Sequence, residues 1–96
     1  MEQKIQLSHP EGKKAVRIDK TKYDAMKKAI LNSLKKKAEL THTEILKSIL
    51  EDFKKNKIKF EGAVEWYMES VKLDLEANKI IERFTDKSKL KFRLGK

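Results

Sequence analysis

The stretch EGAVEWYMESVKLDLEANKIIERF, Glu61–Phe84, passes from helical to strand-like spacing within one segment. Val64, Met68, Val71 and Leu75 recur at steps of four, three and four, with Tyr67 adjacent. They therefore share one face and predict a helix packed on a core. Asn78 follows as a residue that tolerates the left-handed conformation with which helices end. KIIERF and LKFRL then flank TDKSK, and Leu90, Phe92 and Leu94 alternate with Lys91 and Arg93. That pattern predicts a β-hairpin with one apolar and one basic face.

Working toward the N-terminus, LTHTEI carries the clearest helix start in the chain. Thr41 is placed as N-cap, Glu44 as its capping-box partner, and Leu40 with Ile45 as a hydrophobic staple. Ile45, Ile49 and Phe53 form the buried stripe of this helix, with Leu46 and Leu50 beside it. KKNKIKF ends it as a basic connector whose Ile58 and Phe60 turn back toward the core. An earlier helix is expected from about Thr21, with Asp24 three residues on, and Tyr23, Met26, Ile30 and Leu34 on one face. Lys35, Lys36 and Lys37 close it, where cations suit the helix dipole. The breaker HPEG, His9–Gly12, sets off an N-terminal arm of residues 1–12, and KKAVRID reads as a short N-terminal strand. The expectation is one α+β domain over residues 1–96: three helices followed by a C-terminal hairpin.

Ninety-six residues support a single core and no second domain. Cysteine is absent, which excludes disulfides, thiolate metal sites and a cysteine nucleophile. No apolar run approaches the roughly 20 residues of a membrane span, so a cytoplasmic protein without membrane association is expected. The net charge is +9, from 24 basic against 15 acidic residues, and only Arg17, Arg83 and Arg93 among the basic ones are arginine. A basic balance is the footprint of nucleic-acid or acidic-surface binding. Lysine acts as a point charge, however, and lacks the bidentate fork with which arginine reads guanine.

The element order is that of a winged helix-turn-helix domain. The likeness is closest in LEANKIIER, Leu75–Arg83, which resembles the segment where many bacterial winged-helix regulators leave the third helix and enter the wing. Leu75, Glu76, Ile80, Ile81 and Arg83 fit that pattern, and Lys79 stands where glycine is usual. The chain as a whole resembles a small family of uncharacterised bacterial winged-helix proteins built around a tryptophan followed by VKLDLEA, Val71–Ala77. That resemblance implies the fold and carries no activity with it.

A winged-helix regulator places its third helix in the major groove. Here the outward face collects Glu65, Glu69, Lys72 and Glu76, and Glu61–Asn78 has a net charge of −4. Lys72 is the single cation available to nucleic acid on that face, and Glu69 and Glu76 lie at pairing distance along the helix. The positive charge sits elsewhere: +5 in Thr21–Lys37, +4 in Lys54–Phe60 and +5 in Lys79–Lys96. The expected nucleic-acid contacts are therefore Lys87, Lys89, Lys91 and Arg93 of the wing, together with Lys72, on double-stranded DNA of low sequence specificity. A solvated charged hairpin is the competing reading.

Helix 3 also carries a second apolar stripe, Trp66, Leu73 and Ala77, roughly opposite the first. Either the arm folds over it, with Ile5 and Leu7, or it is a homodimer or protein-partner surface anchored by tryptophan. Catalysis finds no support. His9 and His42 read as surface histidines, no glycine-rich phosphate loop exists, and no cofactor or metal is expected.

Overall fold

The computed structural model describes residues 4–13, 16–60 and 62–95. The elements are β1 (Lys4–Gln6), β2 (Arg17–Asp19), α1 (Lys20–Lys36), β3 (Leu40–Thr41), α2 (His42–Lys55), α3 (Val64–Ala77), β4 (Ile81–Asp86) and β5 (Lys89–Leu94). The architecture is α+β, with three helices, a small antiparallel sheet ending in a C-terminal hairpin, and short strands at the N-terminus. It is compatible with the winged-helix order. None of the helices is long and apolar enough to cross a membrane, among the described residues.

The capping box on α2 forms as expected. Glu44 N–H donates to the Thr41 hydroxyl at 3.2 Å and Thr41 N–H donates to Glu44 Oε1 at 2.9 Å. These bonds hold the Glu44 carboxyl below the usual carboxylate range, led by the Thr41 backbone donor. The start of α1 differs from expectation. Its N-cap is Asp19, without a side-chain cap, because Asp19 pairs with Lys4 in the β1–β2 ladder and the strand runs directly into the helix. Asp24 instead pairs with Lys20 at 2.8 Å.

Both α2 and α3 end on the same tripeptide, Asn-Lys-Ile, in the same way. Lys57 N–H donates to the Lys54 carbonyl and Ile58 N–H to that of Phe53; Lys79 N–H donates to the Glu76 carbonyl and Ile80 N–H to that of Leu75. This is a Schellman closure with lysine in the left-handed position, at φ 55° for Lys57 and 59° for Lys79. The expectation for Asn78 is thereby corrected. Asn78 has φ −93° and donates its backbone N–H and its side-chain amide to the Asp74 carbonyl, while Lys79 takes the conformation for which its position in LEANKIIER calls. A β-carbon in this region costs about 1–2 kcal/mol. Lys79→Gly is expected to gain about 0.5–1 kcal/mol in urea denaturation, after glycine's greater freedom in the unfolded chain is set against the relieved strain. A loss of stability would show that the Lys79 side chain makes a compensating contact.

In the sheet, β5 lies between β3 and β4, with Leu40 opposite Phe92, Thr41 opposite Lys91, and Ile81 opposite Leu94 through Asp86 opposite Lys89. The hairpin turn is two residues, Lys87 and Ser88, both at positive φ (49° and 69°), which matches the right-handed twist of the strands. Gly95 follows β5 and donates to the Ile80 carbonyl at 2.8 Å, and a side chain there would collide with the Lys79 carbonyl.

The core joins all three helices and the hairpin: Met26 and Ile30, Ile45 and Ile49, Met68, Val71 and Leu75, and Ile81 and Phe92 are buried. The apolar face expected of β5 holds only at Phe92. Leu90 and Leu94, toward the two ends of the strand, are 44% and 36% exposed, although Ile81 opposite Leu94 is buried. In the α2–α3 connector, Phe60 packs on the core while Ile58 stays outside.

Candidate nucleic-acid interface

The wing residues divide into paired and unpaired. Lys91 bridges to Asp86 at 3.1 Å and Arg93 to Glu82 at 2.9 Å, and Arg83 grips Glu76 with Nε at 2.7 Å and Nη2 at 3.2 Å. Lys87 and Lys89 are exposed and carry no ion pair among the described residues. The two-residue strand β3, which the sequence does not announce, pairs Thr41 with Lys91 and Leu40 with Phe92 and so ties the segment after α1 to the central strand of the hairpin; Lys35 and Lys36, at the end of α1, are exposed. Lys37, in that same run, is held by Glu44 at 3.5 Å.

Lys72 is not a phosphate ligand in this fold. It is 3% exposed, and its ammonium stands 4.0 Å over the Phe92 ring and 2.8 Å from His42 Nδ1. As an ammonium it donates to Nδ1, which leaves the imidazole proton on Nε2 to donate to Glu65 at 3.1 Å. Glu65, His42 and Lys72 therefore form one relay that ties the start of α2 to α3 and β5. Burial pushes the Lys72 ammonium below the ordinary lysine value; Glu76 and Glu69 oppose this, and Arg83 adds to it. The helical wheel holds the signal that sequence reading passed over. Lys72 follows Met68 by four and precedes Leu75 by three, which places it about 70° from the centre of the core stripe. His42, read as a surface histidine, is half-buried by the same arrangement.

The arm is fastened on the other flank of α3. Asp74, 4% exposed, accepts from Ser8 N–H and from the Tyr23 hydroxyl, each at 2.7 Å. Burial, followed by this hydrogen bond, raises the Tyr23 phenol above its ordinary value. Leu7 and Ile18 are buried beside it, and Ile5 packs on the core.

A cleft of about 1140 Å3 lies between the arm's turn, at Pro10 and Glu11, the α3 residues Glu69 and Leu73, and Arg83 and Arg93 of the hairpin. The second apolar stripe is thus divided. Leu73 and Ala77 are half-buried, with Leu73 in the cleft floor, while Trp66 remains 47% exposed and the arm does not cover it. The face of α3 that a groove-reading helix presents is acidic and walled on two sides, whereas a major groove about 12 Å wide admits an unobstructed helix.

Comparison with curated proteins and with solved structures finds no match to this chain. The model of a family of unknown function (DUF6958) matches residues 4–92, nearly the whole chain, and the protein belongs to that family.

Proposed function

We propose that the protein is a winged-helix module that binds double-stranded DNA through its phosphate backbone, with low sequence specificity and without inserting α3 into the groove. The observation that carries this reading is the segregation of charge. Exposed lysines without an ion pair among the described residues stand at the hairpin tip, Lys87 and Lys89, and at the end of α1, Lys35 and Lys36, while the outward face of α3 is acidic and its lysine is buried. Phosphate contacts of this kind release counterions and give affinity without base readout.

Four such contacts predict a slope of about −3.6 in log K against log salt, measured by fluorescence anisotropy on a mixed-sequence duplex. Replacing Lys87 and Lys89 by glutamine should reduce that slope by about 2 and weaken binding evenly across sequences. Absence of binding at roughly 50 µM protein in low salt would overturn the reading, since non-specific binders reach that range.

A further inference from the structure

A second surface lies away from the wing. From the β3–β5 junction, α2 runs 14 residues to its C-terminal lysines, about 20 Å at 1.5 Å per residue. There the connector carries Lys54, Lys55, Lys57 and Lys59, all exposed, with no acidic residue between Lys54 and Phe60 and no ion pair to them among the described residues. Beneath it runs a series of ring contacts. Phe53 stacks on Phe60 at 5.5 Å, Phe60 meets Tyr67 edge-on at 5.2 Å, and Tyr67 meets Trp66 at 4.9 Å. Lys22 adds a further cation 4.9 Å over the Tyr67 ring. Gly62, at φ 106°, lets the connector backbone close on that ring, where a β-carbon would sit 2.8 Å from Cε2. Two large apolar side chains are left open here, Trp66 at 47% and Ile58 at 42% exposure.

We propose that this connector, with the first turn of α3, is a docking surface for an acidic protein segment carrying an apolar anchor residue. The lysines supply the charge complement and Trp66 the apolar seat, the pairing of central anchor and polar rim on which small interfaces rely. A nucleic-acid strand fits less well, because exposed Glu65 and Glu69 flank Trp66 along α3 and a strand carries a charge at every phosphate, whereas a protein segment can set its uncharged anchor there and its acidic residues over the lysines. A second copy of this chain fits less well again, since it would set one four-lysine connector against another.

The probe is a fluorescein-labelled 12-residue peptide of glutamate and aspartate with a central leucine pair, read by anisotropy and by the emission of Trp66, the chain's single tryptophan. The expected result is saturable binding with a blue shift of Trp66 emission. Trp66→Ser and the Lys57→Gln/Lys59→Gln double variant, both folded by circular dichroism, should each weaken it by at least about tenfold. Duplex binding by these variants should keep its wing-dependent share, and Lys87→Gln/Lys89→Gln should leave peptide binding unchanged, so the two surfaces fail or hold separately. The proposal is overturned by any of four results: no saturation by about 1 mM peptide; equal binding when serine replaces the leucines; tighter binding of an oligothymidine strand or phosphatidylserine vesicles than of the peptide; or a dimer in sedimentation that Trp66→Ser dissolves.

Discussion

Asp74→Ala is expected to destabilise the protein by about 3–5 kcal/mol, because a buried carboxylate satisfying two donors contributes roughly 1.5–3 kcal/mol per charge-assisted bond. For a domain of this size the melting temperature should fall by more than about 12 °C. The loss has a definite anatomy. Asp74 holds Ser8 N–H of the arm and the Tyr23 hydroxyl of α1 at 2.7 Å each, so its removal strands the buried Tyr23 hydroxyl, leaves the part-buried Ser8 N–H to water and frees the arm from α3. Tyr23→Phe removes one donor and should cost about half as much, and the double variant should cost less than the sum. The pH dependence has a fixed sign. Tyr23 titrates higher folded than unfolded, so its share of stability is complete below the unfolded value near 10 and is lost as pH rises beyond it. The gap between wild type and Tyr23→Phe in urea denaturation should accordingly narrow above pH 10. A cost for Asp74→Ala below about 1 kcal/mol would mean that water replaces the carboxylate and that the arm is held by its apolar side chains alone.

Phe92→Ala is expected to cost about 3–5 kcal/mol, the range for an aromatic removed from a closed core. Phe92 is fully buried on the central strand, opposite Leu40 and Arg83, and its ring is the floor beneath the Lys72 ammonium at 4.0 Å. Truncation therefore opens a cavity and withdraws the aromatic face that compensates a buried cation. Phe92→Leu separates the two effects. It keeps most of the apolar volume, so a remaining loss of about 1–2 kcal/mol that disappears in a Lys72→Met background reports the cation–aromatic contact. Equal losses for Phe92→Leu with lysine or methionine at 72 would show that the ring acts through packing alone.

Much of the fold was legible because local chemistry states it. The capping box at Thr41 and Glu44, the stripes at Tyr23 to Leu34 and Val64 to Leu75, and the alternation around Phe92 each act over one or two turns, within reach of a pattern reading. The left-handed residue closing α3 was misplaced by one position because asparagine has the better intrinsic tolerance. The Schellman bonds, which count residues from the helix end, put lysine there instead. Of the candidate contacts, Lys87 and Lys89 stand free, whereas Lys91 and Arg93 meet Asp86 and Glu82 across the hairpin. Cross-strand register, fixed only once the two-residue turn is known, makes those pairs.

The sequence by itself determined that this is a small α+β domain of three helices and a charged hairpin, with its excess positive charge outside the third helix. Periodicity, caps and charge counts are properties of neighbouring residues. Tertiary structure alone decided that Lys72 is buried under His42 and over Phe92, that Asp74 pins the arm, that β3 ties the segment after α1 to the hairpin, and that Trp66 is left open. Each of these depends on which distant segments meet, 30 residues apart for His42 and Lys72 and 66 for Ser8 and Asp74. A contact over such separations is selected by packing of the whole core, and no local pattern encodes it.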